Sequence, residues 1–307
     1  MRQLYAGFDL GGTKLLCGLS DGEGRLAIKE RIQIDHSRDV KGVVISYLQK
    51  FRDYCTKNGC ALHAAGMGVP GVCDGERIYL NTNLKNIDLR GIRDEAAQMG
   101  VGMQIMNDVR CALLGERWLG AAKGSEDFIY MNLGTGLSCA FISGGRMIRG
   151  INNAAGETAY MLSNSLIREG IGTDSVFDPD EGSLEKRIAG RALDHMAKKL
   201  YAGQEGEASA RLLFERAKDK HRESVEAVEG FIEELATAVV QMSAILNPEM
   251  VVFGGSVSGN FELFWPKIEG YLMRYLPYPP MLKRSALGSD SGLLGSIYMA
   301  IQGTTDL

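Results

Sequence analysis

Hydrophobic and polar positions along the N-terminal half alternate between strand and helix patterns. Residues 4–8, 15–19 and 26–34 read as three consecutive strands. Residues 40–55 carry Val43, Val44, Tyr47, Leu48 and Phe51 at helical spacing and predict a helix. Residues 64–69 predict a strand ending at the breaker pair Pro70-Gly71. Residues 102–106 predict another, followed at Asn107-Asp108 by a helix reaching about residue 119. The theme then recurs, with strands at 128–133 and 137–142 and long helices behind them. The strongest helix, 225–246, places Val228, Phe231, Leu235, Val239, Met242 and Leu246 on one face and stops at Asn247-Pro248. Residues 250–253 read as a buried strand, which Gly254-Gly255-Ser256 turns into a last helical region.

The repeated order of strands and helices predicts an α/β duplication, its sheets covered on both faces. The domain boundary is expected near residue 120, giving an N-terminal domain of 1–120 and a C-terminal domain of 121–307. The final helix, about 292–302, is expected to pack back on the first of these. Low-complexity linkers are absent, so the domains should touch and hinge.

Two glycine-rich turns punctuate the repeat. The first is Phe8-Asp9-Leu10-Gly11-Gly12-Thr13-Lys14 and the second Met131-Asn132-Leu133-Gly134-Thr135-Gly136. Each closes one apolar run and opens another that ends in a hairpin signal, Asp21-Gly22-Glu23-Gly24 or Ser143-Gly144-Gly145. A strand, a tight Gly/Thr turn and a returning strand bring backbone N–H groups and a hydroxyl close to an anion, because glycine puts no Cβ in the way. Two such turns can hold the two ends of a triphosphate. No Gly-x-x-x-x-Gly-Lys-Ser/Thr occurs, so the pattern points to a duplicated nucleotide-binding core rather than a P-loop.

Composition narrows the classes. The 307 residues are 45% hydrophobic and 23% charged, as in an ordinary globular protein with a sizeable core. The formal net charge is −4 with no basic block, which argues against a nucleic-acid partner. No apolar run approaches the roughly 18–20 residues needed to span a bilayer, and the first strand follows Met1 too closely for a signal peptide. The six cysteines form no C-x-x-C pair and have no zinc-site spacing. Reduced core thiols and a cytoplasmic location are expected.

Several residues carry candidate chemistry. Asp9 either forms a turn or orients a hydrated Mg²⁺ beside phosphates, since hard cations prefer carboxylate oxygen. Lys14 is either a phosphate contact or a solvent-facing strand residue. Asn107 and Asp108 either cap a helix or place Asp108 in a cleft as a general base, kept ionised by the helix N-terminus. Asn83 could hydrogen-bond a polyol or close an Asx turn. Glu157 and Glu185 stand beside glycines after the second turn.

The order of these motifs carries a resemblance. Asp9-Leu10-Gly11-Gly12-Thr13-Lys14, Gly68-Val69-Pro70-Gly71, Asn107-Asp108, Leu133-Gly134-Thr135-Gly136, Ala155-Gly156-Glu157 and the stretch from Asn247-Pro248 to Gly254-Gly255-Ser256 together resemble the ROK family of sugar kinases and related repressors, over essentially the whole chain. The resemblance implies a duplicated actin-like ATPase (ribonuclease H-like) fold, with ATP and Mg²⁺ between two domains and sugar deep in the cleft. It implies that Asp9, Gly11, Gly12, Thr13, Lys14, Gly134, Thr135 and Gly136 serve the phosphates, with Asp9 meeting Mg²⁺ through water, and that Gly254 and Gly255 serve the adenosine. It makes Asp108 the catalytic base and Asn83, Asn107, Glu157 and Glu185 sugar contacts. A homodimer is the usual assembly.

The chain also departs from the family pattern. Most members read Gly-Glu-x-Gly-His, whereas this chain reads Gly156-Glu157-Thr158-Ala159-Tyr160. The Cys-x-Cys-Gly-x-x-Gly-Cys zinc segment is missing, and residues 164–181 stand in its place without a cysteine. A zinc-free branch is therefore expected. Tyr160 could then hydrogen-bond the sugar or fill the vacated space. The expected activity is ATP-dependent phosphorylation of a hexose, at O6, with glucose as the first substrate to consider. Fructose, mannose, allose, β-glucosides and N-acetylhexosamines use the same chemistry. The rivals are a non-catalytic sugar sensor and an ATPase acting on a protein partner.

Overall fold

The computed structural model describes residues 1–34, 39–80, 87–163, 184–203 and 208–305. Strands β1 (Arg2–Leu10), β2 (Lys14–Ser20) and β3 (Leu26–Gln33) form an antiparallel meander. Helix α1 (Val40–Lys57) comes next, its N-cap Asp39 accepting the Gly42 N–H at 3.0 Å. Its buried side chains Val40, Val44, Leu48, Phe51 and Cys55 recur at the spacing of one helical face. Strand β4 (Cys60–Val69) pairs parallel to β1, and β7 (Gly102–Asn107) parallel to β4, giving the order β3-β2-β1-β4-β7. Between them lie the hairpin β5 (Val72–Cys73) and β6 (Ile78–Leu80) and helix α2 (Ile92–Gln98). Helix α3 (Asp108–Leu119) leaves the end of β7.

The second sheet repeats this arrangement. Strands β8 (Phe128–Leu133), β9 (Leu137–Ser143), β10 (Arg146–Ile148), β11 (Met250–Gly254) and β12 (Met281–Arg284) take the order β10-β9-β8-β11-β12. Strands β8, β11 and β12 run parallel, while β9 and β10 are antiparallel. Helices α4 (Glu185–Ile188), α5 (Gly190–Leu200), α6 (Ala210–Lys218), α7 (Arg222–Leu246) and α8 (Phe261–Tyr275) accompany it. In both sheets the first strand of the meander is also the strand that begins the parallel set. Among the described residues no helix is long and apolar enough to cross a membrane.

The chain divides into two compact units. One comprises Met1–Glu126, Ala140–Ala155 and Ser285–Leu307, and the other Asp127–Cys139 and Gly156–Arg284. The first is completed by the final helix, Ser291–Gln302, most of whose residues are buried. This helix lies against α3, β1 and β4, at distances that only glycine allows. A methyl group on Gly295 would overlap the Cys111 carbonyl oxygen, and one on Gly115 or Gly66 would overlap the carbonyl oxygen of Ser291 or Ser296. One on Gly7 would stand 2.5 Å from Ile297 Cγ1. Backbone therefore meets backbone along this seam.

The chain enters the final helix past a fully buried carboxylate. Glu116, near the end of α3, accepts hydrogen bonds from the Ala121 N–H (2.7 Å) and Ala286 N–H (3.1 Å) at Oε2. Its Oε1 accepts from the Ser285 hydroxyl (2.5 Å), the Leu287 N–H (3.1 Å) and the Ser291 hydroxyl (2.8 Å).

The sequence pattern misses β10, β12, the β5–β6 hairpin and α2. Strand β12 has four residues after Pro279-Pro280 and lies at a sheet edge, where Lys283 and Arg284 blur any alternation. Strand β4 begins at Cys60 rather than at 64, because His63 is exposed and interrupts the apolar run.

The glycine seam gives a paired test. Replacing a helical glycine by alanine gains up to about 1 kcal/mol in propensity. At Gly270 in α8, with nothing within 4 Å of the new methyl, Gly270→Ala should be neutral or stabilising. At Gly295 the steric cost of about 1–3 kcal/mol or more wins, so Gly295→Ala should be clearly destabilised in urea unfolding. Equal stability of the two variants would contradict the seam.

Candidate active site

In the first unit the strand register gathers the expected residues. Asp9 lies opposite Gly68 on β4, and Val69 lies opposite Asn107 on β7, so the carboxyl ends of three parallel strands present them together. Ligands of open α/β sheets bind at such strand ends. The absent side chain of Gly68 closes the gap. Asp108 Cα and Asp9 Oδ1 lie 3.3 and 3.5 Å from the point a Gly68 Cβ would occupy. Gly292 in the final helix serves Asp9 from another side, because a Cβ there would stand 2.7 Å from the carboxylate.

The turn after Asp9 is closed by the Gly11 N–H donating to the Lys14 carbonyl at 2.8 Å. The Thr13 carbonyl accepts from the Ile34 N–H at 2.9 Å. Gly11 thus spends its amide inside the turn, and the exposed residue at the tip is Thr13. Asn107 is the N-cap of α3, its Oδ1 accepting the Arg110 N–H at 3.1 Å. Its Nδ2 donates to the Gly71 carbonyl at 3.0 Å and to Asp108 Oδ1 at 3.2 Å. The same Asp108 oxygen accepts the Val109 N–H at 2.9 Å. Asn107 therefore caps the helix and steadies the carboxylate beside it.

Electrostatics mark the same place. Burial pushes the Asp9 carboxyl up to about 6, against the pull of Lys14 and with the help of Asp290. Burial, then the charges of Asp9 and Asp108, holds the Cys111 thiol well above its ordinary value. Burial likewise pushes Cys73 up to about 11. These thiols stay protonated and inert near neutral pH.

The second unit holds the other turn. The Gly134 N–H donates to the Gly136 carbonyl at 3.1 Å, and the start of α5 reinforces the turn from behind. There the Gly190 N–H donates to the Gly134 carbonyl at 2.8 Å and the Arg191 N–H to the Thr135 carbonyl at 3.2 Å. Thr135 is exposed at the tip. Gly254, at the end of β11, lies opposite Asn132 on β8. Gly255 comes next with φ +83°, its α-carbon so close to Leu133 and Gly134 that a side chain would overlap their backbone. The adenosine candidates Gly254 and Gly255 and the phosphate candidates Gly134, Thr135 and Gly136 are therefore neighbours.

Glu185 opens α4 and accepts the Leu137 N–H at 2.8 Å through Oε2. Glu157 precedes a short turn, Thr158–Tyr160, whose entry is fixed by the Gly156 carbonyl accepting from Cys139 N–H at 2.8 Å. The Leu184 N–H donates to the Met161 carbonyl at 2.7 Å and so brings the start of α4 to that turn. Burial and then the charges of Glu157 and Glu185 raise the Tyr160 phenol above its ordinary value. Tyr160 is 45% exposed among the described residues. Asn83 and the segment 164–181 lie outside the described residues.

Sequence reading missed Gly292 and Arg110 and did not show what Gly68, part of a recognised motif, does. Gly68 and Gly292 matter through contacts that no local pattern encodes. Arg110 had a visible signal, a lone charge within the apolar stretch 109–115 of a helix.

The profile of the ROK family matches residues 5–303. The chain belongs to the ROK family. The N-acetyl-D-glucosamine kinase of Vibrio parahaemolyticus is 28% identical over 315 residues, spanning 97% of this chain and 100% of that protein. The N-acetyl-D-glucosamine kinase of Histophilus somni is 27% identical, spanning 95% of this chain and 97% of that protein. Among solved structures, a ROK hexokinase from Thermus thermophilus is 27% identical with a TM-score of 0.79, covering 97% of this chain and 98% of that one. The fold is thus the actin-like ATPase fold of the ROK sugar kinases, built from two sheets of equivalent order.

The raised Asp9 carboxyl fixes the sign of a pH effect. Its folded value of about 6 lies above the ordinary 3.8. Between those values the folded chain keeps a proton that the unfolded chain has lost, so stability falls as pH rises through the window. Asp9→Asn should remove that fall and stabilise the ligand-free protein at pH 7 by about 2–3 kcal/mol. Urea unfolding of both proteins at pH 4 and pH 7 measures it. Parallel changes in the two would show that Asp9 carries no such cost.

Proposed function

We propose that this ROK protein transfers the γ-phosphoryl group of ATP to a hydroxyl of a gluco-configured hexose, at O6, with N-acetylglucosamine and glucose as the first substrates to test. The observation that carries this reading is the pairing of Asp9 and Asp108 across Gly68 behind a Gly/Thr turn. The names of the kinases to which the chain is similar support the sugar as substrate, and those of the curated relatives favour the N-acetylated amino sugar.

Asp108 is the general base. At the first position of α3 the helix dipole favours its ionised form, and Asn107 fixes its orientation. It takes the proton of the attacking hydroxyl as the oxygen–phosphorus bond forms. The bond from the γ-phosphorus to the bridging oxygen breaks, and ADP leaves with that electron pair. Thr13, Lys14 and Gly12 serve one end of the triphosphate, and Thr135 and Gly136 the other. Gly254 and Gly255 leave room for the adenosine. Asn107, Glu157, Glu185 and Tyr160, with Asn83, hold sugar hydroxyls, so that positioning supplies much of the rate.

The residue beside the first turn suits Mg²⁺, since Asp9 offers hard carboxylate oxygens and, being largely shielded from water, gains from a counter-charge. When bound with the nucleotide, that ion supplies charge neutralisation on the transferring group.

ADP release across a panel of N-acetylglucosamine, glucose, mannose and fructose tests the reading. Turnover with none of them would reject it. Asp108→Asn should lower kcat by about 10²–10⁴-fold while sugar binding survives. Tyr160→Phe should raise the sugar KM by up to about tenfold, the loss of one hydrogen bond of roughly 0.5–1.5 kcal/mol. Glu157→Gln should cost more, roughly 1.5–3 kcal/mol, because its acceptor is charged. An unchanged KM in Tyr160→Phe would leave the tyrosine a packing role.

A further inference from the structure

We propose that Arg110 is a positioning residue: it anchors the loop 149–155 and thereby sets the placement of Glu157. The proposal rests on the sugar-kinase reading, and deepens it. Arg110 sits in the first turn of α3, two residues after Asp108, and is buried. Its backbone N–H is committed to the Asn107 cap. Its Nη2 faces three backbone carbonyls, those of Arg149 (3.3 Å), Asn153 (2.8 Å) and Ala155 (3.3 Å), and reaches them with two hydrogens, one of them shared.

Three carbonyl oxygens converging on one nitrogen form the kind of nest that a small cation would otherwise occupy. The loop needs such a partner. Its carbonyls are brought together by left-handed residues, Gly150 at φ +69° and, less commonly for a side-chain-bearing residue, Asn153 at φ +54°. Its own closing bonds are few, Ala155 N–H to the Arg149 carbonyl at 2.9 Å and Asn153 N–H to the Gly150 carbonyl at 3.3 Å. Without a cationic donor these part-buried carbonyl dipoles would face one another, and withdrawing them from water unpaired carries a cost.

The loop leads directly into the sugar side of the site. Ala155 is separated from Glu157 only by Gly156, whose own carbonyl is held by Cys139 N–H and Ser138 Oγ. Glu157 is thus suspended between two anchors, β9 on one side and the Arg110-bound loop on the other. One helical turn therefore presents the base, caps itself with a sugar ligand and steadies the approach to a third sugar residue. Arg110 touches neither sugar nor nucleotide in this scheme; it acts through the loop.

Arg110→Met keeps the bulk of the stem and removes the donors, and Arg110→Lys keeps the charge. In Arg110→Met, hydrogen exchange of the Asn153 and Ala155 amides should speed up by about tenfold or more while amides of β1 keep their protection. With the sugar that the wild type phosphorylates best, KM should rise by about tenfold, KM for ATP should stay within about twofold, and Arg110→Lys should recover part of the loss. A loop that exchanges as in the wild type, or sugar and ATP KM values that rise together, would overturn the proposal. Arg110→Lys decides the same points if the methionine variant does not fold. Absence of turnover by the wild type would instead reject the sugar-kinase reading, and the exchange measurement would still decide whether Arg110 anchors the loop.

Discussion

Everything in the first unit depends on how closely its last helix can approach its first strand. Gly7 and Gly66 on the sheet, Gly115 on α3 and Gly295 on the helix itself remove the side chains that would hold these elements at ordinary distances. The approach brings Gly292 against the Asp9 carboxylate and shields much of it from water. Burial then raises the affinity of Asp9 for its proton. A packing constraint spread over the chain thereby becomes an electrostatic property of one strand end. Such a carboxylate is disfavoured in the folded state until a counter-charge arrives, so the same contact that completes the fold makes the site receptive to a cation.

Helix α3 is fixed by three different devices, two in its first turn and one near its end. Asn107 caps its start, Arg110 binds the loop 149–155, and Glu116 gathers Ala121, Ser285, Ala286, Leu287 and Ser291 near its end. A buried carboxylate is tolerated because hydroxyls and amides occupy both of its oxygens, and hydrogen bonds to an ionised acceptor are strong. All of these partners belong to the first unit, Ala121 to its first segment and residues 285–291 to its last. The helix that presents Asp108 is therefore tied directly to the segment that carries the final helix.

The sequence revealed what is local. Glycine turns after apolar runs located both strand–turn–strand units, because a turn's geometry is written in consecutive residues. The helix at 225–246 and its stop at Asn247, which adopts φ +45°, were equally legible. Hidden from it were the contacts made at long range. Nothing near Gly68 says that the Asp9 carboxylate and the Asp108 backbone meet beside it, and nothing near Gly292 says that it covers Asp9. Nor could the motif show that Gly11 and Gly134 spend their amides within their turns, which leaves the exposed Thr13 and Thr135 as the tips offered to a ligand. Short edge elements such as β12 were lost for a related reason: four residues whose pairing is all on one side carry little pattern of their own.

The duplication is close enough in register to show where the two halves diverge in chemistry. Asp9 on β1 faces Gly68 on β4, and Asn132 on β8 faces Gly254 on β11. Each strand end carries an Asx residue two positions before its turn glycine, but only the first is charged. A triphosphate is itself strongly anionic, so a carboxylate at both strand ends would oppose it twice. Asparagine keeps the shape and hydrogen-bonding capacity of aspartate without that repulsion. Under the proposed function the first half serves cation and proton transfer through Asp9 and Asp108, while the second offers a neutral turn. At this pair of equivalent strand ends the two uses of the fold differ by a single oxygen-for-nitrogen exchange.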